Sequence, residues 1–87
     1  MFHMGTNDRA AGEQTGALAA AIREAQGRVN MSGAELSRKS GVPYSTLRKI
    51  REGNQPIDFE ELNKIAKALD VKASALAFRA ESILKGE

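Results

Sequence analysis

The 87-residue sequence contains no cysteine and no tryptophan, and it has only two prolines. Without cysteine the chain can form neither a disulfide nor a thiolate metal site, so a reducing compartment is compatible with it. Aromatic residues are few, at 5 %, while alanine and leucine are frequent, which favours close helix packing over a sandwich of sheets. No apolar run approaches the roughly 18 residues that a membrane span requires. These absences indicate a small all-α protein.

What is present indicates one globular domain. Charged residues make up 28 % and hydrophobic residues 41 % of the chain, a composition typical of globular proteins rather than disordered ones. The net charge of +2 is unevenly placed, because residues 32–55 carry +3 and the remainder −1. A local excess of positive charge is a footprint of a polyanionic partner. The start of the chain has neither the basic lead nor the apolar stretch of a secretory signal, so we expect a cytoplasmic protein.

Apolar residues at helical spacing divide the chain into an arm and five helices. Residues 1–14 show no periodicity and predict a disordered arm, part of which we expect to be a cloning remnant; residues 15–87 form the domain. Two capping patterns, Ser32 with Glu35 and Asp58 with Glu61, mark helix starts. The five helices are predicted to run from Thr15 to a stop at Gly27, from Ser32 to Ser40, from Pro43 or Tyr44 to Glu52, from Asp58 to Leu69, and from Ala73 to Leu84.

The stretch "SGVPYSTLRKIREGN", residues 40–54, predicts two short helices joined at a sharp corner. Gly41 is suited to a left-handed helix end, and Pro43 is tolerated at a helix start. A small residue, Ser37, lets the second helix lie close to the first. The inner face comprises Leu36, Val42, Leu47 and Ile50, and the outer face Tyr44, Ser45, Arg48 and Lys49. This arrangement is a helix-turn-helix, whose second helix is presented to the major groove of DNA.

At these residues the sequence resembles the phage-repressor and Cro-type helix-turn-helix regulators, also called the xenobiotic-response-element (XRE) family. The matching text is "AELSRKSGVPYSTLRKIREG" followed by "DFEELNKIAKALDV", and the likeness covers about residues 18–84. The resemblance implies a five-helix lambda-repressor-like domain that binds an operator in double-stranded DNA as a homodimer, at least on the DNA. We expect a transcriptional repressor, or the DNA-binding domain of a longer one such as a phage immunity repressor, with no cofactor.

The chain departs from the family pattern at several positions. Ser37 stands where alanine is usual, Gly33 stands where the family has a phosphate-contacting glutamine, and the linker "GRVNMS" is longer than usual. Family members also pair an arginine matching Arg23 with a glutamate at the position of Arg51. Because this pair would here be two arginines, we expect Glu52 or Glu24 to take over the ion pair.

The resemblance also implies the DNA-contacting residues. Tyr44, Ser45 and Lys49 match positions that contact base edges, Arg48 one that contacts base or phosphate, and Thr46 one that contacts phosphate. We expect backbone contacts from Arg38 and Lys39 on the preceding helix and from Asn54 and Gln55 on the following loop. Ser32 caps its helix, and its amide is a further candidate for a phosphate contact. The alternative for each residue is an ordinary solvated surface position.

The sequence gives little support for a metal site or for catalysis. Asp58, Glu60 and Glu61 are explained by capping and the helix dipole rather than by a metal. The only histidine is His3, in the predicted arm, and the sequence holds neither a Ser-His-Asp set nor a glycine-rich phosphate loop, so no enzyme is expected. The alternative function is an antitoxin or adaptor module that acts mainly through protein contacts.

Overall fold

In the computed structural model, which describes the backbone of residues 3–86 and the side chains of residues 12–86, every regular element is an α-helix. The helices are α1 (His3–Val29), α2 (Gly33–Ser40), α3 (Tyr44–Arg51), α4 (Phe59–Ala68) and α5 (Ala73–Leu84). The predicted five-helix, all-α fold is therefore confirmed. The later four helices lie within one or two residues of their predicted bounds.

Helix α1 differs from its prediction at both ends. It begins at His3 rather than Thr15, so residues 3–14, predicted as a disordered arm, are helical. Residues 1 and 2 of that arm lie outside the described residues. The segment has no proline, and a helix that is already formed extends by one hydrogen bond per residue at little cost, without the apolar pattern that the prediction required. At the other end the helix passes through Gly27 to Val29.

The observed end of α1 is a left-handed turn at Asn30, where φ is +55°. The amide of Met31 donates to the carbonyl of Gln26, and the amide of Asn30 donates to that of Gly27. This pair of bonds defines a Schellman cap, and asparagine is among the few non-glycine residues that accept the conformation. The same cap ends α3 at Gly53 and α4 at Asp70. The predicted stop at Gly27 is wrong because the left-handed residue, and not the nearest glycine, sets the end.

The core lies between α1 and the four shorter helices. Helix α1 contacts α3 and α5, α2 contacts α3 and α4, and α5 also contacts α4. The largest fully buried side chains are Ile22, Leu36, Leu47, Ile50, Ile65 and Leu69. Phe59, predicted to belong to the apolar stripe of α4, is instead 74 % exposed. It is the first residue of α4, and because helical side chains tilt toward the N-terminus, its ring projects beyond the packed part of the helix.

The turn between α2 and α3 holds the corner that the sequence predicts. Gly41 has φ +82°, in the left-handed region. The Ser37 hydroxyl donates to the carbonyl of Val42 at 2.7 Å, and the amide of Val42 donates to the Ser40 hydroxyl at 3.1 Å. Ser37 thus supplies both the small volume required at the crossing and a hydrogen bond across the turn, which accounts for the departure from alanine at this position.

A forked ion pair connects α1 to α5. Arg79 donates from Nε to Glu24 Oε1 at 2.8 Å and from Nη2 to Glu24 Oε2 at 3.0 Å. The hydrogen bond from Arg79 and the charges of Arg79 and Arg28 lower the pKa of the Glu24 carboxyl below its ordinary value of 4.5, against a smaller opposing effect of desolvation. Glu24 is therefore ionised at neutral pH and committed to α5.

Two glycine substitutions should change stability in opposite directions. Gly41→Ala should lower the free energy of unfolding by about 1–2 kcal/mol, because a Cβ is disfavoured at φ +82° even though nothing lies within 4 Å of it. Gly27→Ala, inside α1 and equally open, should raise it by about 0.5–1 kcal/mol through helix propensity. Urea denaturation of both variants and the wild type measures the difference. A Gly41→Ala variant as stable as Gly27→Ala would contradict the role of the left-handed turn.

Candidate nucleic-acid interface

Helix α3 has one buried face and one exposed face. Leu47 and Ile50 are buried in the core, and Val42 closes the corner beside them. Ser45, Arg48 and Lys49 follow the i, i+3, i+4 spacing of a single helix face and are all exposed. Since the apolar pair anchors the helix, these three polar side chains necessarily lie on the solvent side.

An open groove of about 590 Å³ lies along the exposed face of α3. It is lined by Ser45, Arg48, Lys49, Glu52, Asn54, Gln55 and Pro56. Gly53, with φ +77°, turns the chain back after α3 and so brings the loop residues beside the helix. Five of the ten sequence-predicted site residues therefore meet in one groove, although they come from two different elements.

Glu52 is the one carboxylate in this groove. Its Oε2 lies 3.3 Å from Arg48 Nε, and its Oε1 accepts from Asn54 Nδ2 at 3.3 Å. The Arg48 and Glu52 side chains are 65 % and 50 % exposed, and an ion pair that is so open to water contributes little free energy. Arg48 is therefore held in position without being firmly committed, and it can leave Glu52 for a stronger anion.

The other predicted site residues are more dispersed. Tyr44 begins α3 and is 51 % exposed, whereas Thr46 is half-buried. The Ser32 hydroxyl accepts from the amide of Glu35 at 3.1 Å, which confirms its capping role. Arg38 is exposed on α2. Lys39 pairs with Glu35 at 3.5 Å.

Lys39 also belongs to a second hollow, away from the groove of α3. Its lining residues are Lys39, Ser40, Lys64, Lys67 and Ala68. Lys39 of α2 therefore faces α4, and the two lysines of α4 that line the same hollow were not among the predicted site residues. Their only sequence signal is positive charge on the outer face of α4.

The expected ion pair around Arg23 and Arg51 is wrong. Glu24 is engaged with α5 and Glu52 with Arg48. Instead, the Arg51 side chain donates from Nε to Gln26 Oε1 at 2.7 Å, and Arg23 donates to the backbone carbonyl of Arg51. The partner of the Arg51 side chain is thus the neutral amide of Gln26 and not the carboxylate that the sequence predicts.

Gln26 was missed by the sequence analysis. It is 4 % exposed, and its Nε2 also donates to the Met31 carbonyl at 3.1 Å. The signal that would have found it is a polar residue next to the buried stripe of α1, one position after Ala25 and four after Ile22. A buried amide requires partners for both its donor and its acceptor, and here both are satisfied.

Within the described side chains, no group of histidine, cysteine, aspartate or glutamate residues could hold a metal ion. In the same part of the chain, no helix combines the length and the apolar character needed to cross a membrane. Apart from Glu52, the polar residues that converge in the groove are hydrogen-bond donors and cations on α3 and on the loop that follows it. This chemistry suits recognition of a nucleic acid.

The fold and this exposed helix define a helix-turn-helix protein. The helix-turn-helix family matches residues 20–76, most of the chain, and the chain belongs to that family. It is accordingly a DNA-binding transcriptional regulator of the XRE type and not an enzyme.

Two solved structures of the clp gene regulator ClgR from Corynebacterium glutamicum share the fold. The first has 22 % sequence identity and a TM-score of 0.79, and the match covers 83 % of this chain and 77 % of ClgR. The second has 23 % identity and a TM-score of 0.76, and covers 80 % of this chain and 91 % of ClgR. A search of curated protein sequences finds no significant match.

Removing the groove carboxylate should strengthen DNA binding. Glu52→Gln releases Arg48 and removes a charge that repels phosphate, so affinity for a random duplex should rise about twofold to fivefold, equivalent to roughly 0.5–1 kcal/mol. Fluorescence anisotropy with a labelled duplex measures the change, and Glu60→Gln, at an exposed position of α4, is the charge-matched control. If both variants bind equally tightly, Glu52 does not lie near the bound DNA.

Proposed function

We propose that this protein is a sequence-specific repressor of the phage-repressor type, which inserts α3 into the major groove of double-stranded DNA. The observation that carries the proposal is the convergence of Ser45, Arg48 and Lys49 with the loop residues Asn54 and Gln55 in one exposed groove. An α-helix fits the width of the major groove, and polar side chains on its outer face reach base edges there. The protein would act in the cytoplasm, on the nucleoid.

Each side chain has a role that suits its chemistry. Lys49 and Arg48 donate to guanine O6 and N7, Ser45 donates or accepts, and the Tyr44 ring contacts a thymine methyl or a phosphate. Thr46, together with Asn54 and Gln55, contacts the DNA backbone and sets the register of α3. Ser32, Arg38 and Lys39 on the α2 side supply further backbone contacts. Lys39 is the weakest of these, because it faces the hollow shared with α4.

Repression would follow from occupancy by a homodimer. Two copies related by a two-fold axis place their α3 helices about one turn of DNA apart, roughly 34 Å, on a palindromic site. An apolar hollow between α1 and α5 offers a contact surface, lined by Gln14, Leu18, Ala77, Ala80, Glu81 and Leu84. A dimer bound over a promoter excludes polymerase.

A second candidate function, an antitoxin or adaptor module, is favoured by two exposed aromatic side chains. Phe59 and Phe78 are 74 % and 71 % exposed, and exposed aromatics favour a protein partner. Salt separates the two functions. The affinity for DNA falls steeply as the salt concentration rises, because binding releases counterions from the DNA phosphates. The affinity of an apolar protein contact does not fall in this way.

The decisive experiment is selection of bound duplexes from a random pool. A repressor should enrich one motif with two inverted half-sites, which would establish sequence specificity and symmetry together. A pool that remains random after repeated rounds, with only salt-sensitive bulk binding, would reject sequence-specific recognition.

Lys49→Ala should weaken binding to the selected duplex by about 1–3 kcal/mol, the range of one good base contact, and affect a random duplex far less. The melting temperature should not change, because Lys49 is exposed and its side chain forms no hydrogen bond or ion pair with the described residues. Titrations of both duplexes measure the difference, with Lys72→Ala, at the residue before α5, as control. Equal losses on both duplexes would make Lys49 a phosphate contact instead.

Leu84→Asp should abolish cooperative binding to the palindrome while leaving half-site binding intact. Leu84 is 45 % exposed at the hollow between α1 and α5, so a charge there disrupts a subunit contact without damaging the core. Ile83, which packs against the core, is unsuitable for this test. Phe78→Asp, on the same helix but outside the hollow, is the control, and sedimentation with and without operator gives the stoichiometry. Undiminished cooperativity would exclude α5 from the dimer interface.

A further inference from the structure

The side chain of Arg51 fills the space beside Gly33 at the start of α2. A Cβ built at Gly33 would lie 2.6 Å from Arg51 Nη1, 3.4 Å from Arg51 Cζ and 3.5 Å from Tyr44 Cε1. A real Cβ does not approach another heavy atom to 2.6 Å. The guanidinium of Arg51 therefore occupies the space that a side chain at position 33 would fill, next to the first residue of α3.

The Arg51 side chain is held there by a rigid partner. Its Nε donates to Gln26 Oε1 at 2.7 Å, and Gln26 is itself buried and bonded to the Met31 carbonyl. Arg23 donates to the carbonyl of Arg51 and so fixes the backbone at the same point. In the described part of the chain, no acceptor is bonded to Nη1 or Nη2 of Arg51. One edge of the guanidinium is thus anchored, and its two terminal nitrogens retain their donors.

Among the described side chains, no carboxylate forms an ion pair with Arg23 or Arg51. The three acidic residues on the neighbouring segments are committed elsewhere: Glu24 to Arg79 and Arg28, Glu35 to Lys39, and Glu52 to Arg48. The Arg51 guanidinium, whose side-chain partner is the neutral amide of Gln26, therefore keeps its positive charge for an anion. An arginine whose terminal donors are pre-oriented is suited to a phosphate, which accepts charge-assisted hydrogen bonds.

We propose that Arg51 binds a phosphate of the DNA backbone beside the start of α2, with Gln26 as the residue that positions it. The inference rests on the proposed DNA-binding function and deepens it. Arg51 does not line the groove of Ser45, Arg48 and Lys49. Arg51 contacts the DNA backbone rather than a base, because its hydrogen bond to Gln26 holds the side chain on the side of α3 that faces α1 and α2. Gly33 is the residue that leaves room for it.

The test compares Arg51→Met, Gly33→Ala and the double variant with wild type in the full chain. Each is titrated with a random duplex and with the selected duplex over a range of salt concentrations. Arg51→Met keeps the aliphatic stem, and should weaken binding to both duplexes on the order of tenfold and reduce the salt slope by about one unit. Gly33→Ala should displace the flexible guanidinium and cause a smaller loss of the same kind. In the Arg51→Met background, Gly33→Ala should have no further effect.

Controls separate a phosphate contact from a structural role. Arg28→Met removes the same charge beside Glu24, toward α5, a helix that does not contact α3, and should leave affinity and slope nearly unchanged. Arg51→Lys retains the charge and should retain the salt slope. Melting temperatures of all variants are measured alongside, and the comparison uses variants that remain folded at the titration temperature.

Three results would overturn the proposal. An unchanged salt slope in Arg51→Met would show that Arg51 contacts no phosphate. A loss confined to the selected duplex would make it a base contact. Additive effects of Gly33→Ala and Arg51→Met would show that the two residues do not share one place. Each of these leaves wild-type DNA binding intact, whereas a wild-type protein that binds neither duplex would reject the proposed function itself and the inference with it.

Discussion

The burial of Leu47 and Ile50 is the interaction on which the rest of the molecule depends. Helices α2 and α3 have eight residues each, well below the roughly 12–15 residues at which isolated helices become even marginally stable in water. Neither would persist without tertiary contacts, and α3 obtains them through this apolar pair, packed around Val42 and Leu36. Orientation follows directly. Because one face of α3 is required for folding, the opposite face is available for recognition.

The turn that precedes α3 also fixes how this helix packs on the core. Gly41 supplies the left-handed conformation, Ser37 bonds the carbonyl of Val42, and Ser40 accepts from its amide. Both polar backbone groups of Val42 are thereby satisfied while its side chain is buried. A corner with unsatisfied groups would cost more than its few apolar contacts contribute. The serines therefore stabilise the angle between the two helices as well as filling space.

Electrostatics on this surface depends on how the carboxylates are distributed. Glu24 is held by a forked ion pair on the α5 side, and Glu35 and Glu52 form open pairs within single helices or at a helix end. Pairs of the second kind are weak in water, so the cations near α3 remain available to an anionic partner. The amide of Gln26 contributes to the same result, because it orients Arg51 without cancelling its charge.

Two departures that the sequence shows separately, at Gly33 and Arg51, turn out to be one feature. Their separation of 18 positions along the chain does not indicate a contact, and the sequence predicts instead a new ion pair with Glu24 or Glu52. The structure pairs Arg51 with Gln26 and puts its guanidinium over Gly33. Long side chains select partners by reach and competition in three dimensions. Spacing along the chain predicts only the partners that lie one helical turn apart, as for Arg48 and Glu52.

The sequence by itself determined the five-helix architecture, the corner at Gly41, the helix N-caps at Ser32 and Asp58, and the outward face of α3. Each of these depends on local periodicity or on the chemistry of one or two neighbouring residues. The tertiary structure alone decided which polar residues meet: the groove that joins α3 to Asn54 and Gln55, the hollow that takes Lys39 toward α4, and the place of Arg51. It also decided that Phe59 stays in solvent. The physical reason is the same throughout: helix formation and capping are settled within a few residues, whereas burial and long-range hydrogen bonds depend on how whole helices are placed against one another.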